Sequence, residues 1–296
     1  MTDTPASTST SDPTSNALTS NALTSPAARV STLSIAPPPN PPTARATASA
    51  YAGRTVLQYM RTPQLLIVNA ATSIMFLLIF RYVFGGAIQT GPIPYANFLI
   101  PALAATSGLF ASGIVGVAED AESGFFDRLR SLPVPRGAVM VGRSMADTLV
   151  ILWGTFVTVV VGFAVGFRPD GGVVGFIAAM ALCVVFAFAL SWMQIFLGLI
   201  AGSAQAAQGL SFAVFPLIFV SSAYVPVESM PGWMQPIANH QPVTMMIGAV
   251  RSLVIGGDST LLLGHSTSYF VIRALLWSAA IAATFAALAT RRFKQQ

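Results

Sequence analysis

The sequence predicts an all-α polytopic membrane protein. Its expected parts are six transmembrane helices, an N-terminal interfacial helix, a short cytoplasmic helix in a charged loop, and an outer re-entrant or interfacial segment. Three observations predict this fold. Only 8% of residues are charged and 54% are hydrophobic, at a mean hydropathy of +0.70, whereas a soluble domain carries roughly 25% charged residues. The apolar residues fall in runs of about 20, the length that crosses a bilayer core as a helix. The charge is also concentrated: eight of the 25 Lys, Arg, Asp and Glu residues lie between Glu119 and Arg143.

Residues 1–50 are rich in Ser, Thr, Ala and Pro, with a tandem SNALT repeat at Ser15–Thr24 and prolines clustered at Pro37–Pro42. They bury too little apolar surface to offset ordering entropy and are predicted to be a disordered cytoplasmic tail. Residues 51–296 form the membrane domain. In its first stretch Arg54, Gln58 and Arg61 share one helical face, with Val56, Leu57 and Met60 opposite. That pattern suits a helix lying among lipid headgroups; a solvated helix end is the alternative. The spans follow at Leu65–Phe84, Tyr95–Ala118, Thr148–Phe167, Val173–Ile200, Gln205–Ala223 and Tyr269–Thr290. Between Gly171 and Val227 no residue is charged, so the fourth and fifth spans are divided only by the polar break at Gly202–Gln208. Pro216 predicts a kink in the fifth. Val225–Ser268 mixes Pro, Trp, Met and polar residues. Irregular backbone at membrane depth needs a protein or water cover, so this segment reads as a short re-entrant structure containing a helix at about Val243–Ile255. Trp233 suits an interfacial aromatic belt.

Arg and Lys set the orientation. With both termini cytoplasmic in the cell membrane, eleven of the fifteen basic residues lie inside, leaving Arg81, Arg168, Arg251 and Arg273 near the outer surface. The charged loop between the second and third spans is then cytoplasmic. In it Glu119, Asp120 and Glu122 close the second span, Gly124 interrupts the helix, and FFDRLRSL forms a short amphipathic helix stopped by Pro133 and Pro135. Such a helix, held between two spans, can carry force between a soluble partner and the bundle. A solvated connector is the plainer alternative.

Several chemistries are excluded. The sole lysine, Lys294, is not in a Gly-Lys-Ser/Thr setting, so the chain has no phosphate-binding loop; if its work needs ATP, another chain hydrolyses it. One cysteine, Cys183, and two distant histidines, His240 and His265, offer neither a disulfide nor a zinc site. Basic residues do not cluster with aromatics as nucleic-acid binding requires. The predicted spans contain no Asp or Glu for a proton relay, Asp147 at the edge of the third being the nearest. Among polar groups within spans, Asn69, Thr72, Ser107 and Gln194 are the candidates for a pathway, with interhelical packing as the default reading.

Three passages, RYVFGGAI at Arg81–Ile88, AEDAESGFFDRLRSLPVPRGAVMVGRSMAD at Ala118–Asp147 and PLIFVSSAYVPVESMPGWMQPIANHQPVT at Pro216–Thr244, resemble the permease subunits of type-2 ATP-binding-cassette exporters. The resemblance is nearest to the branch with daunorubicin and doxorubicin resistance permeases and covers about residues 51–290. It implies a six-helix half-channel pairing with a second copy in the lipid membrane, and a separate ATPase subunit that binds ATP and Mg. No cofactor is expected in this chain and it is not expected to be an enzyme. The resemblance places the coupling helix at Glu122, Gly124, Asp127, Arg128, Leu129, Arg130 and Pro133, flanked by Glu119, Asp120 and Arg136, with Arg54, Gln58 and Arg61 on an interface helix. Asn239-His240-Gln241-Pro242 departs from the pattern, in which an Asn directly precedes the Pro. The implied cargo is a drug-like amphiphile, or a lipid or glycolipid. A membrane-embedded enzyme or scaffold is the reading from another class.

Overall fold

Thr43 starts the first helix by accepting a hydrogen bond from Ala46 N on its Oγ1 at 3.3 Å, the usual work of an N-capping threonine. The computed structural model describes residues 43–88, 90–91, 93–110, 112–130, 135–256 and 263–295. The expected tail up to residue 42 lies outside the described residues. Helix α1 runs Ala44–Arg61, so the helix begins seven residues before the boundary expected at Tyr51. Its buried stripe also differs from expectation. Tyr51, Thr55 and Tyr59, one turn apart, are buried, while Leu57 and Met60 are 48% and 68% exposed. The tyrosines win the packing face because two other helices offer them buried charged partners, Asp120 for Tyr51 and Asp147 for Tyr59.

After α1 come α2 (Pro63–Leu78), extended by a π-helical turn at Ile79–Phe84, and α3 (Tyr95–Thr106), extended by a 3-10 turn at Ser107–Phe110. Then follow α4 (Gly113–Glu122), α5 (Phe125–Arg130), α6 (Arg136–Ala164) and α7 (Gly172–Ala201). The chain continues through α8 (Ala204–Val214), α9 (Pro216–Phe219), α10 (Gln235–His240), α11 (Pro242–Ile255) and α12 (Thr267–Gln295).

Among the described residues, five helices are long and apolar enough to cross a membrane: Leu66–Phe84, Tyr95–Glu122, Gly137–Ala164, Gly172–Ala201 and Thr267–Phe293. The sixth expected span is the shorter apolar helix Ala204–Phe219, at most 17 residues. That gives a rise of about 25 Å against a hydrocarbon core of about 30 Å. It is interrupted at Phe215, where Pro216 brings no N–H to the helical ladder. The third span starts at Gly137 rather than Thr148, because Arg143 and Asp147 face each other four residues apart and enter the bundle as a pair.

Helix α3 is central and buried along its whole length. It packs on α6 and α11, while α7 packs on α4, α6, α11 and α12. By contrast α2 and α12 turn apolar side chains outward, Ile67, Val68 and Leu276 each being more than 60% exposed, as helices solvated by lipid do. The glycine pair Gly198 and Gly202 divides its labour. A Cβ at Gly198 would meet Val117 Cβ at 2.6 Å and Ile114 O at 2.7 Å, so α7 and α4 touch there. Gly202, at φ 73°, ends α7 in a left-handed turn. At the end of the bundle away from α5, the Asn97 side chain clamps Arg168 through Nδ2 to its carbonyl at 2.9 Å and Oδ1 from its N–H at 3.0 Å. Helix α11 matches the helix expected at Val243–Ile255 and is buried along most of its length.

Candidate coupling site

The α4–α5 elbow is built by one left-handed residue. Gly124 has φ +68° and its N–H bonds Ala121 O at 3.2 Å, closing α4 as a C-terminal glycine does and releasing α5 at a new angle. The three acids before it separate by helical geometry. Glu119 and Glu122 are exposed. Asp120 is buried, 6% exposed, which corrects the expectation that it meets a soluble partner. The cause is a charge cluster between α1, α4 and α6.

Arg143 of α6 is its centre. Its Nε donates to Asp147 Oδ1 and Oδ2 at 3.0 and 2.9 Å, and its Nη1 donates to Asp120 Oδ2. Tyr51 OH donates to Asp120 Oδ2 at 3.4 Å and Tyr59 OH to Asp147 Oδ1 at 3.3 Å. Arg54 Nη2 lies 3.8 Å from Asp120 Oδ1. Two arginines and two aspartates balance, the condition under which charge can be buried at tolerable cost. Burial pushes the Tyr51 phenol up to about 12, the pull of Arg143 opposing it and Asp120 adding to it. Burial, with Asp147 beside it, likewise raises Tyr59 well above the usual tyrosine range. Both therefore remain donors at neutral pH. Gly116 makes room: a Cβ there would come within 2.7 Å of Arg143 Nη2.

Helix α5 is attached to this frame by its aromatics. The Arg54 guanidinium sits 3.8 Å over the Phe125 ring, a cation–π contact, and Tyr51 lies 5.8 Å from the same ring. Phe126 is 2% exposed and meets Phe293 of α12 edge-on at 5.4 Å. Glu122 makes the third attachment, its Oε2 accepting Ala204 N at 3.1 Å. The carboxylate thus caps the N-terminus of α8, where a helix favours negative charge, alongside the Ser203 cap on Ala206 N at 3.2 Å. The elbow is thus in contact with α1, α8 and α12.

Other expected site residues fall as follows. Arg54, Gln58, Arg61 and Arg128 are exposed. Pro133 and the side chains of Asp127, Leu129, Arg130 and Arg136 lie outside the described residues. Of the pathway candidates, three sit in contacts within this chain. Ser107 shares a hydrogen bond of 2.6 Å with Thr155. Gln194 Nε2 donates to Gly108 O at 2.6 Å, taking up a carbonyl freed by the 3-10 turn. Thr72 Oγ1 returns to Val68 O at 2.8 Å. Asn69 Oδ1, beside Gly154, and Gln194 Oε1 are both buried with no hydrogen-bond partner among the described residues. Sequence reasoning missed Tyr51, Tyr59, Arg143 and Asp147 as one unit. The Arg-x-x-x-Asp spacing entering an apolar run was the available signal.

The described residues thus define a bundle of membrane-length apolar helices with a charged elbow anchored to three of them. The model of the ABC-2 type transporter family matches residues 48–255. The chain is 33% identical over 248 residues to the daunorubicin resistance ABC transporter permease protein DrrB1 of Streptomyces coeruleorubidus, covering 82% of this chain and 84% of that protein. It is 29% identical over 161 residues to the probable doxorubicin resistance ABC transporter permease protein DrrC of Mycobacterium tuberculosis, covering 54% of this chain and 58% of that one. The chain belongs to the ABC-2 type transporter family and is a multi-pass membrane permease subunit, with an ATP-binding-cassette partner implied by the family.

Proposed function

We propose that this chain exports drug-like amphiphiles, as a dimer of two copies, with both termini in the cytoplasm and the α4–α5 elbow receiving the stroke of the partner ATPase. The ATPase binds ATP and Mg and performs the hydrolysis. Helix α8–α9 completes a six-span half-channel, its short length made up by the segment that follows it. The observation that carries the reading is the threefold attachment of the elbow: Arg54 on Phe125, Phe126 on Phe293, and Glu122 on the start of α8. Closure of the ATPase against Arg128 and its neighbours tilts α5, and the tilt passes to α1, α8 and α12 together. Resistance to daunorubicin and doxorubicin, which names the relatives, supports an amphiphilic cargo.

The test uses inside-out vesicles holding the full chain with the ATPase from the same genome. ATP-dependent uptake of doxorubicin is expected, and Arg128→Glu should abolish both uptake and copurification of the ATPase while leaving membrane insertion intact. Copurification unchanged in Arg128→Glu overturns the docking surface, and no uptake of any amphiphile by the wild-type complex overturns the cargo class.

A further inference from the structure

At the end of the bundle opposite the elbow lies a cavity of about 600 Å3, bounded by the α2–α3 connection, the turn after α9, α10, α11 and the start of α12. Its size is that of a small-molecule site. Arg251 of α11, one of the four basic residues expected near the outer side of the membrane, lines it and is only 3% exposed. Its guanidinium is held on neutral acceptors. Nε and Nη2 donate to Phe98 O at 3.2 and 2.9 Å, and Nη2 also to Ser222 O at 3.0 Å, while the plane stacks 3.6 Å over the Phe98 ring. Among the described residues, Nη1 has no protein acceptor and the group forms no ion pair within 4 Å. The carboxylate of Glu228, exposed and also lining the cavity, acts on it through its charge.

This arrangement differs from the cluster at the other end, where Arg143 is fully neutralised. A buried cation without a counter-ion is unfavourable, and here its unused donors border a space walled by Phe98, Met245 and Phe270. We propose that the cavity is a binding site for an amphiphile bearing one carboxylate or phosphate, its anionic group on Arg251 and its apolar body along Met245 and Phe270. The remaining Nη1, with two N–H groups, can donate to the oxygens of either oxyanion. A membrane phospholipid and an exported compound could each present that chemistry. The proposal does not depend on the coupling reading, because the site is complete without the ATPase.

The purified full chain in maltoside micelles is titrated with dodecyl phosphate, and the complex is counted by native mass spectrometry, with dodecyl glucoside as the uncharged control. Saturable binding of one dodecyl phosphate is expected. Arg251→Gln should weaken it by at least about tenfold, the scale of a charge-assisted contact. Because Arg251→Gln also removes bonds to Phe98 and Ser222, Glu228→Gln serves as the second variant. Losing that carboxylate should strengthen binding by about twofold to fivefold, an effect that a purely structural Arg251 would not produce. Absence of saturable binding, equal binding of dodecyl glucoside, or unchanged affinity in Glu228→Gln overturns the site. Displacement of dodecyl phosphate by phosphatidylglycerol, and not by phosphatidylcholine, assigns the site to membrane lipid. Retention against both lipids assigns it to a non-lipid amphiphile.

Discussion

Replacing Arg143 by methionine is the sharpest perturbation of the charged end. The substitution keeps an unbranched side chain of similar length and removes the one cation that touches both Asp120 and Asp147. Two carboxylates, 6% and 2% exposed, then face each other with only the Tyr51 and Tyr59 hydroxyls and the more distant Arg54. Breaking a buried ion pair from one side costs about 3–5 kcal/mol, a fall in unfolding midpoint of about 6–20 °C for a domain of roughly this size. The assay is thermal unfolding of the purified chain in detergent, followed by circular dichroism. Asp147→Leu alone should also destabilise, since it strands Arg143 against Asp120. The double variant Arg143→Met with Asp147→Leu should recover much of that loss, with a coupling of at least about 1 kcal/mol, as groups in direct contact show. Additive losses in the double variant, or a wild-type midpoint for Arg143→Met, would refute the argument that the cluster stands as a neutral unit.

Four further outcomes follow from the geometry. Glu122→Ala removes the cap on Ala204 N, so stability should fall by about 0.3–1 kcal/mol, while ATP-driven transport should fall much further if the elbow drives α8; Glu122→Gln, which can still accept that bond, should transport better than Glu122→Ala. At Gly124 open space surrounds a left-handed backbone, so Gly124→Val is expected to cost about 1–2 kcal/mol and reduce efflux, whereas Gly124→Asn should keep most of it. Gly198→Leu should disrupt the α4–α7 contact and lower the unfolding midpoint, by about 1–3 kcal/mol of overpacking. Tyr51 is raised from an unfolded value of 10.0 to about 12, so the stability it contributes is complete below pH 10 and is lost as pH climbs through that window; Tyr51→Phe should flatten this alkaline dependence in unfolding curves taken between pH 9 and about 12.

Much was legible in order along the chain. Four of the five long spans begin within one or two residues of expectation, because uninterrupted apolar runs leave a bilayer-crossing helix as the only way to satisfy their backbone. The Gly124 elbow and the short helix after it were legible for the same local reason, a glycine between an acidic helix end and an aromatic start. Arg143 and Asp147 moved the third span because periodicity treats each charge alone, whereas burial responds to the pair.

Composition and run length by themselves determined that this protein lives in a membrane, that its charge gathers in one elbow, and that it has no lysine for a phosphate loop. Tertiary structure alone decided which charges are surface and which are core. Asp120 and Glu119 are neighbours in sequence, yet one is locked to Arg143 and the other is exposed. Arg143 and Arg251 are both buried arginines at opposite ends of the bundle, one neutralised and one not. That difference depends on what three or more separate helices bring within a few ångströms, and no linear pattern records it.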